Sequence, residues 1–272
     1  MSCHVDVVGQ GHPLVMIHGW GMHSGVWQPL VKRLSKKYML YLVDLPGMGQ
    51  SRSVEPYHLY RLAEEVAEVI PGVSDILGWS LGGLVAQSLA TNQPERVKKL
   101  VLVGSTPCFV NEPAITKMPG WDAGIQRDYF TDFSQSLDED YKKTIIKFLT
   151  LQCMKAKDAR DTIKQLRNSF DAKPAPTEKT LKDALHILLE ADLRAESINI
   201  RKPTLLIHGD RDTLVPVQAA HWMMQHMSKS VLRVIAGAGH APFLSHSEQF
   251  VEALDQFLEP DPSAKWQTSW MT

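Results

Sequence analysis

The stretch Gly78-Trp79-Ser80-Leu81-Gly82 decides the fold class of this chain. It ends a short apolar run, Asp75–Trp79, and begins a segment with helical periodicity, Leu81–Gln93. Small residues at positions 78 and 82 allow a sharp turn between strand and helix, which would expose the Ser80 hydroxyl above a helix N-terminus. In this context the pattern predicts a nucleophilic serine, although Gly-x-Ser-x-Gly alone also occurs by chance.

Similar apolar runs alternate with amphipathic segments along the rest of the chain. The runs are nearly continuous in hydrophobicity, which is typical of parallel strands that are covered on both faces. The sequence therefore predicts an α/β protein with a mostly parallel, doubly wound sheet. The predicted strands are Leu14–His18, Met39–Asp44, Asp75–Trp79, Val97–Gly104, Thr204–His208 and Val231–Ile235, and the predicted helices are Val26–Tyr38, Tyr57–Ile70, Leu81–Gln93, Val217–Met227 and Glu248–Leu258.

One connection is much longer than a single crossover helix. Residues 105–203 lie between the fourth and fifth predicted strands, and a structureless loop of that length is implausible in a compact domain. We therefore expect a helical cap (residues 111–190) that folds over the carboxyl edge of the sheet. Residues 1–110 and 191–260 would form the core, and residues 261–272 a frayed tail.

Composition limits the classes of partner. The chain has 272 residues, 44% hydrophobic and 22% charged, with a formal net charge of -1. It has no overall positive field for nucleic acid and no apolar run near the roughly 20 residues that span a membrane. Three scattered cysteines and a start without a basic-then-apolar signal favour the cytoplasm. We expect a monomer without a metal or another cofactor.

A serine nucleophile needs a base and a carboxylate that orients this base. The best base is His240, because the glycine-rich Gly237-Ala-Gly-His240 follows the last predicted strand. Asp210 and Asp212 both follow the strand Thr204–His208, and Asp212 is favoured since Asp210 fits a turn cap that pairs with Arg211. The order serine, aspartate, histidine is the one expected of α/β-hydrolases.

A tetrahedral intermediate also needs hydrogen-bond donors for its oxyanion. His18-Gly19-Trp20-Gly21 follows a predicted strand, so the backbone N–H groups of Trp20 and Leu81 are the predicted donors; a purely structural turn is the alternative. His221 and His226 lie on a predicted helix without a partner four residues away, which argues against zinc.

Together these residues resemble an α/β-hydrolase with an inserted cap. His18-Gly-Trp-Gly21 and Leu77-Gly-Trp-Ser-Leu-Gly-Gly83 occur in many hydrolases, whereas other motifs are narrower. Over residues 10–258 the chain is similar to the carboxylesterases that hydrolyse the methyl ester of pimeloyl-acyl-carrier protein in biotin synthesis. The other motifs that carry this resemblance are Val43-Asp-Leu-Pro-Gly47, Ser105-Thr-Pro-Cys-Phe109, Phe148-Leu-Thr-Leu-Gln152, Asp212-Thr-Leu-Val-Pro216 and His240-Ala-Pro-Phe-Leu-Ser-His246.

The resemblance implies roles for particular residues. Ser80 would be the nucleophile, Asp212 the orienting carboxylate and His240 the base. It implies acyl-carrier protein as the partner that carries the substrate. The implied substrate contacts are Trp20, Ser80, Leu81, Phe148, Leu149, Thr150, Leu151, Gln152 and His240.

Basic residues in the cap fit this partner. Lys157, Arg160, Lys164 and Arg167 recur at helical spacing, and Lys143 and Lys147 add a pair four residues apart. An acidic carrier helix or its phosphopantetheine phosphate would be attracted to such a stripe, although an ordinary solvated helix face is the alternative. The expected carrier contacts are Lys143, Lys147, Arg160 and Lys164.

Two other functions remain open from the sequence. One is a generalist esterase or C–C bond hydrolase with the same triad but a different cap. The other is a non-catalytic α/β-hydrolase that binds a ligand as a receptor.

Overall fold

Among the described residues, seven strands form a mostly parallel sheet that organises the chain. The computed structural model describes residues 2–114, 119–151, 153, 156 and 159–259. The strands lie in the order β1-β3-β2-β4-β5-β6-β7, and only β1 is antiparallel to its neighbour. The strands are β1 (His4–Gly9), β2 (His12–Ile17), β3 (Tyr38–Asp44), β4 (Ser74–Trp79), β5 (Val97–Val103), β6 (Thr204–Gly209) and β7 (Ser230–Ile235).

The first strand is absent from the sequence prediction. β1 pairs antiparallel with β3, so that His4 lies opposite Asp44 and Gly9 opposite Met39. It is an edge strand with intermediate to exposed residues, because an antiparallel edge needs only one face against the core. A search for continuous apolar runs does not find such a strand. The predicted strands correspond to β2–β7.

Helices cover both faces of the sheet, as the doubly wound prediction requires. A single hydrophobic core links these helices to the strands. The helices outside the long insertion are α1 (Gln28–Leu34), α2 (Leu59–Val69), α3 (Leu81–Asn92), α7 (Arg194–Ser197), α8 (Val217–His226), α9 (Pro242–Ser245) and α10 (Ser247–Leu258).

The predicted helix Val26–Tyr38 is wrong at both ends. A 3-10 turn occupies Ser24–Trp27, and Pro29 in the first turn of α1 sets the start of the regular helix. At the other end Tyr38 belongs to β3, where it pairs with His12. Residues 35–37 form a turn between the helix and β3, in which the Lys37 N–H donates to the Leu34 carbonyl (3.0 Å).

Three further helices follow β5 and precede β6 in the chain. They are α4 (Arg127–Leu151), α5 (Ala159–Phe170) and α6 (Glu178–Glu190). Pro174 and Pro176 separate α5 from α6, and Thr177 caps α6 by accepting a hydrogen bond from the N–H of Thr180. These helices occupy the segment expected to form the cap; its exact boundaries at 110 and 190 stay predictions, and the expected tail, 261–272, lies outside the described residues.

No helix in the described part of the chain combines the length and the apolar character that crossing a bilayer would require.

Candidate active site

Ser80 occupies a strained turn between β4 and α3. Its φ of 57° and ψ of -119° lie in a region that residues with a side chain rarely adopt. The turn is held because the Ser80 N–H donates to the Val103 carbonyl (3.0 Å) and the Ser105 hydroxyl donates to the Ser80 carbonyl (2.9 Å). Strand β5 therefore fixes the backbone of the serine from one side.

Glycines are required on both sides of this turn. A Cβ at Gly78 would lie 2.2 Å from the Gly82 carbonyl oxygen, and one at Gly82 would lie 2.4 Å from the Ile17 carbonyl oxygen. The first approach closes the turn on itself, and the second packs the start of α3 against the end of β2. The sequence pattern at 78–82 thus has a steric cause.

Asp212 and His240 form a buried pair. His240 Nδ1 lies 2.8 Å from Asp212 Oδ2, and both side chains are 0% exposed. The other oxygen, Asp212 Oδ1, accepts hydrogen bonds from the N–H groups of Leu214 (2.9 Å) and Val215 (3.0 Å). Burial alone would raise the pKa of Asp212, but His240, His208 and the N–H of Val215 hold it below its ordinary value.

The alternative carboxylate serves a different purpose. Asp210 Oδ1 accepts a hydrogen bond from the N–H of Gly237 at 2.7 Å, and Arg211 lies 3.8 Å from its other oxygen. Asp210 therefore joins the loop after β6 to the loop that carries His240. The structure places Asp212, and not Asp210, against the histidine.

The histidine lies beside the elbow that carries Ser80. The indole N–H of Trp79 donates to the His240 carbonyl at 2.8 Å. Gly104 follows Val103, the partner of the Ser80 N–H, and a Cβ at Gly104 would lie 3.2 Å from His240 Nδ1. His240 Nε2 is buried and has no hydrogen-bond partner among the described residues. That nitrogen is therefore available to a proton donor at this edge of the sheet.

The loop after β2 lies against the same elbow. A Cβ at Gly19 would approach the Ser80 Cβ to 3.1 Å. The Gly19 carbonyl is engaged by His18 Nδ1 (2.8 Å) and by the N–H of Met22 (3.3 Å). Because the N–H of Trp20 belongs to the same trans peptide, it points away from those donors. Neither the N–H of Trp20 nor that of Leu81 has an acceptor within the described residues.

His18 is a residue whose role the sequence did not indicate. Its Nε2 accepts from the Leu45 N–H at 2.9 Å, so Nδ1 carries the proton that is donated to Gly19. Complete burial lowers the pKa of His18 from 6.5 to about 4, which keeps the ring neutral in this arrangement. Its place in the His18-Gly-Trp-Gly21 motif was the only signal in the sequence.

Helices α4 and α6 close over the site. Trp20 donates its indole N–H to the Leu181 carbonyl (3.0 Å) and packs edge-on against Phe148 (ring centroids 4.7 Å apart) and Phe133 (5.5 Å). The Thr213 hydroxyl donates to the Leu151 carbonyl at the end of α4 (2.9 Å). Ser80 is only 3% exposed beneath these contacts.

Other residues predicted to contact substrate are placed as follows. Leu149 is buried, Leu151 is partly buried, and the Thr150 hydroxyl donates to the Ile146 carbonyl within α4. Gln152 lies outside the described residues, as does Lys157 of the basic stripe. Phe133 and Leu181 were missed by sequence reasoning, because neither belongs to a motif and only tertiary packing brings them to Trp20.

A second histidine, His208, lies close to the Asp212 carboxylate. His208 Nε2 is 3.5 Å from Asp212 Oδ2 and 2.7 Å from the Val215 carbonyl, and burial lowers its pKa. Its position at the end of β6 was visible in the sequence.

Across the described residues, no group of three or more His, Cys, Asp or Glu side chains is placed to hold a metal ion.

The strained serine, the buried Asp212–His240 pair and the parallel sheet define the class of protein as an α/β-hydrolase. The family model for the alpha/beta hydrolase fold matches residues 12–247, and the chain belongs to that family. An esterase from Exiguobacterium antarcticum superposes with a TM-score of 0.83 at 25% identity, covering 94% of each chain. An enol-lactonase from Burkholderia xenovorans shares the fold with a TM-score of 0.80 at 17% identity, covering 94% of this chain and 96% of its own.

Relatives of nearly the same length narrow the class. The pimeloyl-[acyl-carrier protein] methyl ester esterase of Nitrosomonas europaea is 44% identical, covering 93% of this chain and 98% of that protein. The esterase of the same name from Aeromonas salmonicida is 42% identical over 95% of this chain and 100% of its own length. Within the α/β-hydrolases, the chain belongs to the family of these esterases.

Proposed function

We propose that this chain hydrolyses the methyl ester of pimeloyl-acyl-carrier protein to pimeloyl-acyl-carrier protein and methanol, in biotin synthesis. The observation that carries the proposal is similarity over nearly the whole chain, at 44% and 42% identity, to relatives that bear the name of this esterase. The buried pair beside Ser80 supports the same reaction, because acyl transfer needs a nucleophile, a base and an orienting carboxylate.

In the proposed first half-reaction, Ser80 Oγ attacks the ester carbonyl carbon while His240 Nε2 accepts the serine proton. Asp212 stays ionised and stabilises the imidazolium through Nδ1, for which the 2.8 Å contact is support. The tetrahedral intermediate collapses when His240 returns its proton to the methoxy oxygen. The C–O bond breaks, methanol leaves, and the acyl group remains on Ser80 as an ester.

Water completes the cycle. His240 accepts a proton from the water as its oxygen attacks the acyl carbon, and the second intermediate expels Ser80, which recovers that proton from His240. The product is the free carboxyl end of the acyl chain, still attached to its carrier through the thioester at the other end.

The N–H groups of Trp20 and Leu81 are the proposed oxyanion donors. Their support is the approach of Gly19 to Ser80 and the orientation that His18 gives the Gly19–Trp20 peptide. Removal of one such donor raises the barrier of related acyl transfers by about 2.7–4 kcal/mol. The loop after β2 would therefore contribute to the rate of the proposed reaction in addition to the base.

The acyl chain is proposed to bind between the core and the cap. Trp20 and Leu81 would contact it from the core side. Burial of Phe148 against Trp20 supports a wall on the cap side, since closure of apolar side chains over the ester would exclude water until the deacylation step. The proposed cap-side contacts are Phe148, Leu149, Thr150, Leu151 and Gln152.

The carrier protein is proposed to dock on the basic face of α4 and α5. Helix α5 buries Thr162 and Leu166 and exposes the opposite face, which supports a surface open to a partner. Acidic groups of the carrier would approach faster than neutral ones, because opposite charges steer the encounter. The proposed contacts, all exposed, are Lys143, Lys147, Arg160 and Lys164.

We place the enzyme in the cytoplasm as a monomer. Three free, buried cysteines, Cys3, Cys108 and Cys153, support a reducing compartment. Burial raises the pKa of each of these thiols to about 12, so they are protected from reaction in the folded state.

Mass spectrometry of the carrier tests the proposed reaction. Purified carrier loaded with pimeloyl methyl ester is incubated with the wild type and, separately, with the Ser80→Ala variant. The expected product is intact carrier in which the methyl ester has become a free carboxyl group, so that its mass is lower by that of one CH₂ group. Carrier stripped of its acyl chain would instead identify a thioesterase, and a wild type as inert as the variant would favour a receptor.

A further inference from the structure

The linker between α5 and α6 (residues 171–177) holds an ion-pair cluster that the reaction described above does not use. Lys173 lies in this linker, between the end of α5 and the start of α6. We propose that Lys173 is a positioning residue that fastens the cap linker to this loop, so that the Trp20 N–H is held in place only under a closed cap. The inference rests on the proposed function, in which that N–H stabilises the oxyanion.

Lys173 is bound on three sides. Its ammonium group donates to Ser24 Oγ (2.7 Å), Asp6 Oδ2 (3.0 Å) and Asp44 Oδ2 (3.0 Å). An ammonium has three hydrogens, so these contacts use all of its donors and fix its position. The side chain is 13% exposed, and the acceptors come from β1, the loop at 18–24 and the end of β3.

The loop is attached to the end of β3 at both of its ends. At one end the Leu45 N–H donates to His18 Nε2. At the other end the Ser24 N–H donates to Asp44 Oδ1 at 2.7 Å. Asp44 is 0% exposed, and a buried carboxylate is costly unless a cation is paired with it. Lys173 is the cation that binds this carboxylate, and it binds Ser24 as well.

The linker is a stiff connection to the cap. Pro174 and Pro176 restrict the backbone immediately after Lys173, and α6 follows at once with its Leu181 carbonyl bonded to the Trp20 indole. On the other side His23 Nε2 donates to the Phe170 carbonyl at the end of α5 (3.3 Å). Displacement of the cap would therefore pull on the loop through Trp20, His23 and Ser24 together.

Loss of the cation should affect the chemical step more than binding. Without Lys173 the Asp44 carboxylate is buried without a cation, so water enters or the Asp44–Ser24 contact opens. A shift of about 1 Å in a positioned donor can cost a factor of about 100 in rate. We expect Lys173→Met to lower kcat at least tenfold on a small ester that has no carrier, with a smaller change in KM.

Lys179 offers a matched control. It also joins the cap to the core, through Glu55 (2.6 Å), but both side chains are 66% exposed and neither contacts the loop. Lys179→Met should keep kcat within twofold of the wild type. Ser24→Ala removes one acceptor without leaving a charge unpaired, so its kcat should fall less than that of Lys173→Met. Lys173→Arg keeps the positive charge and should have a kcat between those of Lys173→Met and the wild type.

Hydrogen exchange provides a readout that needs no activity. The amides of residues 18–24 should exchange faster in Lys173→Met than in the wild type, and Lys179→Met should leave them unchanged. The inference would be refuted if folded Lys173→Met kept the wild-type kcat and the wild-type exchange rates at residues 18–24. A lower Tm without a change in kcat or in those exchange rates would also refute it. A wild type without Ser80-dependent ester hydrolysis would refute the proposed function, while the exchange comparison would still decide the role of Lys173.

Discussion

Asp212 is the residue on which the geometry of the site depends most. One oxygen faces His240 and the other receives two backbone N–H groups, so the carboxylate is ionised and held in one orientation. The loop residues that provide those N–H groups, Leu214 and Val215, lie two and three residues after it. Replacement of the Asp212 side chain therefore tests how much the orientation of His240 contributes to activity.

Asp212→Asn should preserve the fold and remove most of the activity. An amide facing His240 Nδ1 selects the wrong tautomer and no longer stabilises the imidazolium, which in comparable triads costs about 10⁴-fold in kcat. Steady-state kinetics on a small ester, with circular dichroism as the folding control, measures this. Asp210→Asn is the matched variant, and an equal loss there would contradict the assignment of Asp212.

His18 makes folding stability depend on pH. The folded ring binds a proton only near pH 4, whereas the unfolded ring does so near its ordinary 6.5. Between those values the unfolded chain holds more protons, so the free energy of unfolding should fall as pH drops from 6.5 towards 4. The maximum slope from one such histidine is about 1.4 kcal/mol per pH unit, and burial lowers the pKa of His208 in the same direction.

Urea unfolding at several pH values between 5 and 7 measures that slope. His18→Asn keeps a donor and an acceptor at this position but cannot take up the proton, so its slope should be shallower. An identical slope in the variant would mean that proton uptake by His18 does not contribute to acid sensitivity.

At the scale of elements, the turn between β4 and α3 tolerates no side chain at its first glycine. Gly78→Ala would push a Cβ to 2.2 Å from a backbone oxygen, which requires the strand and helix to separate. We expect a loss of at least about 2–3 kcal/mol in unfolding free energy, together with loss of ester hydrolysis. Thermal unfolding and kinetics of the same preparation test both effects.

Gly72 provides the control for that substitution. A Cβ at Gly72 meets nothing within 4 Å. Gly72→Ala should therefore leave activity unchanged and shift stability by less than about 1 kcal/mol, since it mainly restricts the unfolded chain. Similar losses in the two variants would show that the close approach at Gly78 is not what limits substitution there.

Elements were predicted best where burial is complete. Strand β4 is buried at all six positions and β5 at six of seven. Their apolar runs, Ile76–Leu77 and Leu100–Val103, therefore admit few alternatives. Strand β1 was missed because half of this antiparallel edge strand is exposed to solvent. The helix at 26–38 was extended because only pairing with β2 assigns Tyr38 to β3. A local sequence pattern does not distinguish strand from helix or turn where pairing between distant strands decides the secondary structure.

At the scale of the whole molecule, charge is nearly balanced, with a formal net charge of -1. Long-range attraction of an acidic carrier would therefore have to come from a local surface. If Lys143, Lys147, Arg160 and Lys164 supply it, kcat/KM for carrier-linked ester should fall several-fold as ionic strength rises from 0.02 to about 0.3 M, because the Debye length shortens. A small neutral ester should show little change.

Neutralising those four residues tests the assignment directly. The fourfold Gln variant should lose most of its kcat/KM on carrier-linked ester together with the salt dependence, and it should retain kcat on the small ester. Equal losses on both substrates, or no loss on either, would favour an ordinary solvated face and a generalist esterase.

The sequence by itself determined the parallel sheet, the position of the strained serine and the order of serine, aspartate and histidine. These follow from short-range causes: continuous apolar runs, small residues at a sharp turn, and loops that must begin at the carboxyl ends of strands. The tertiary structure alone decided which groups surround them. His18 accepts a hydrogen bond from Leu45, 27 residues further along the chain. Phe133, Leu181 and Lys173 reach the core only where the insertion packs onto it, and no local pattern encodes such contacts.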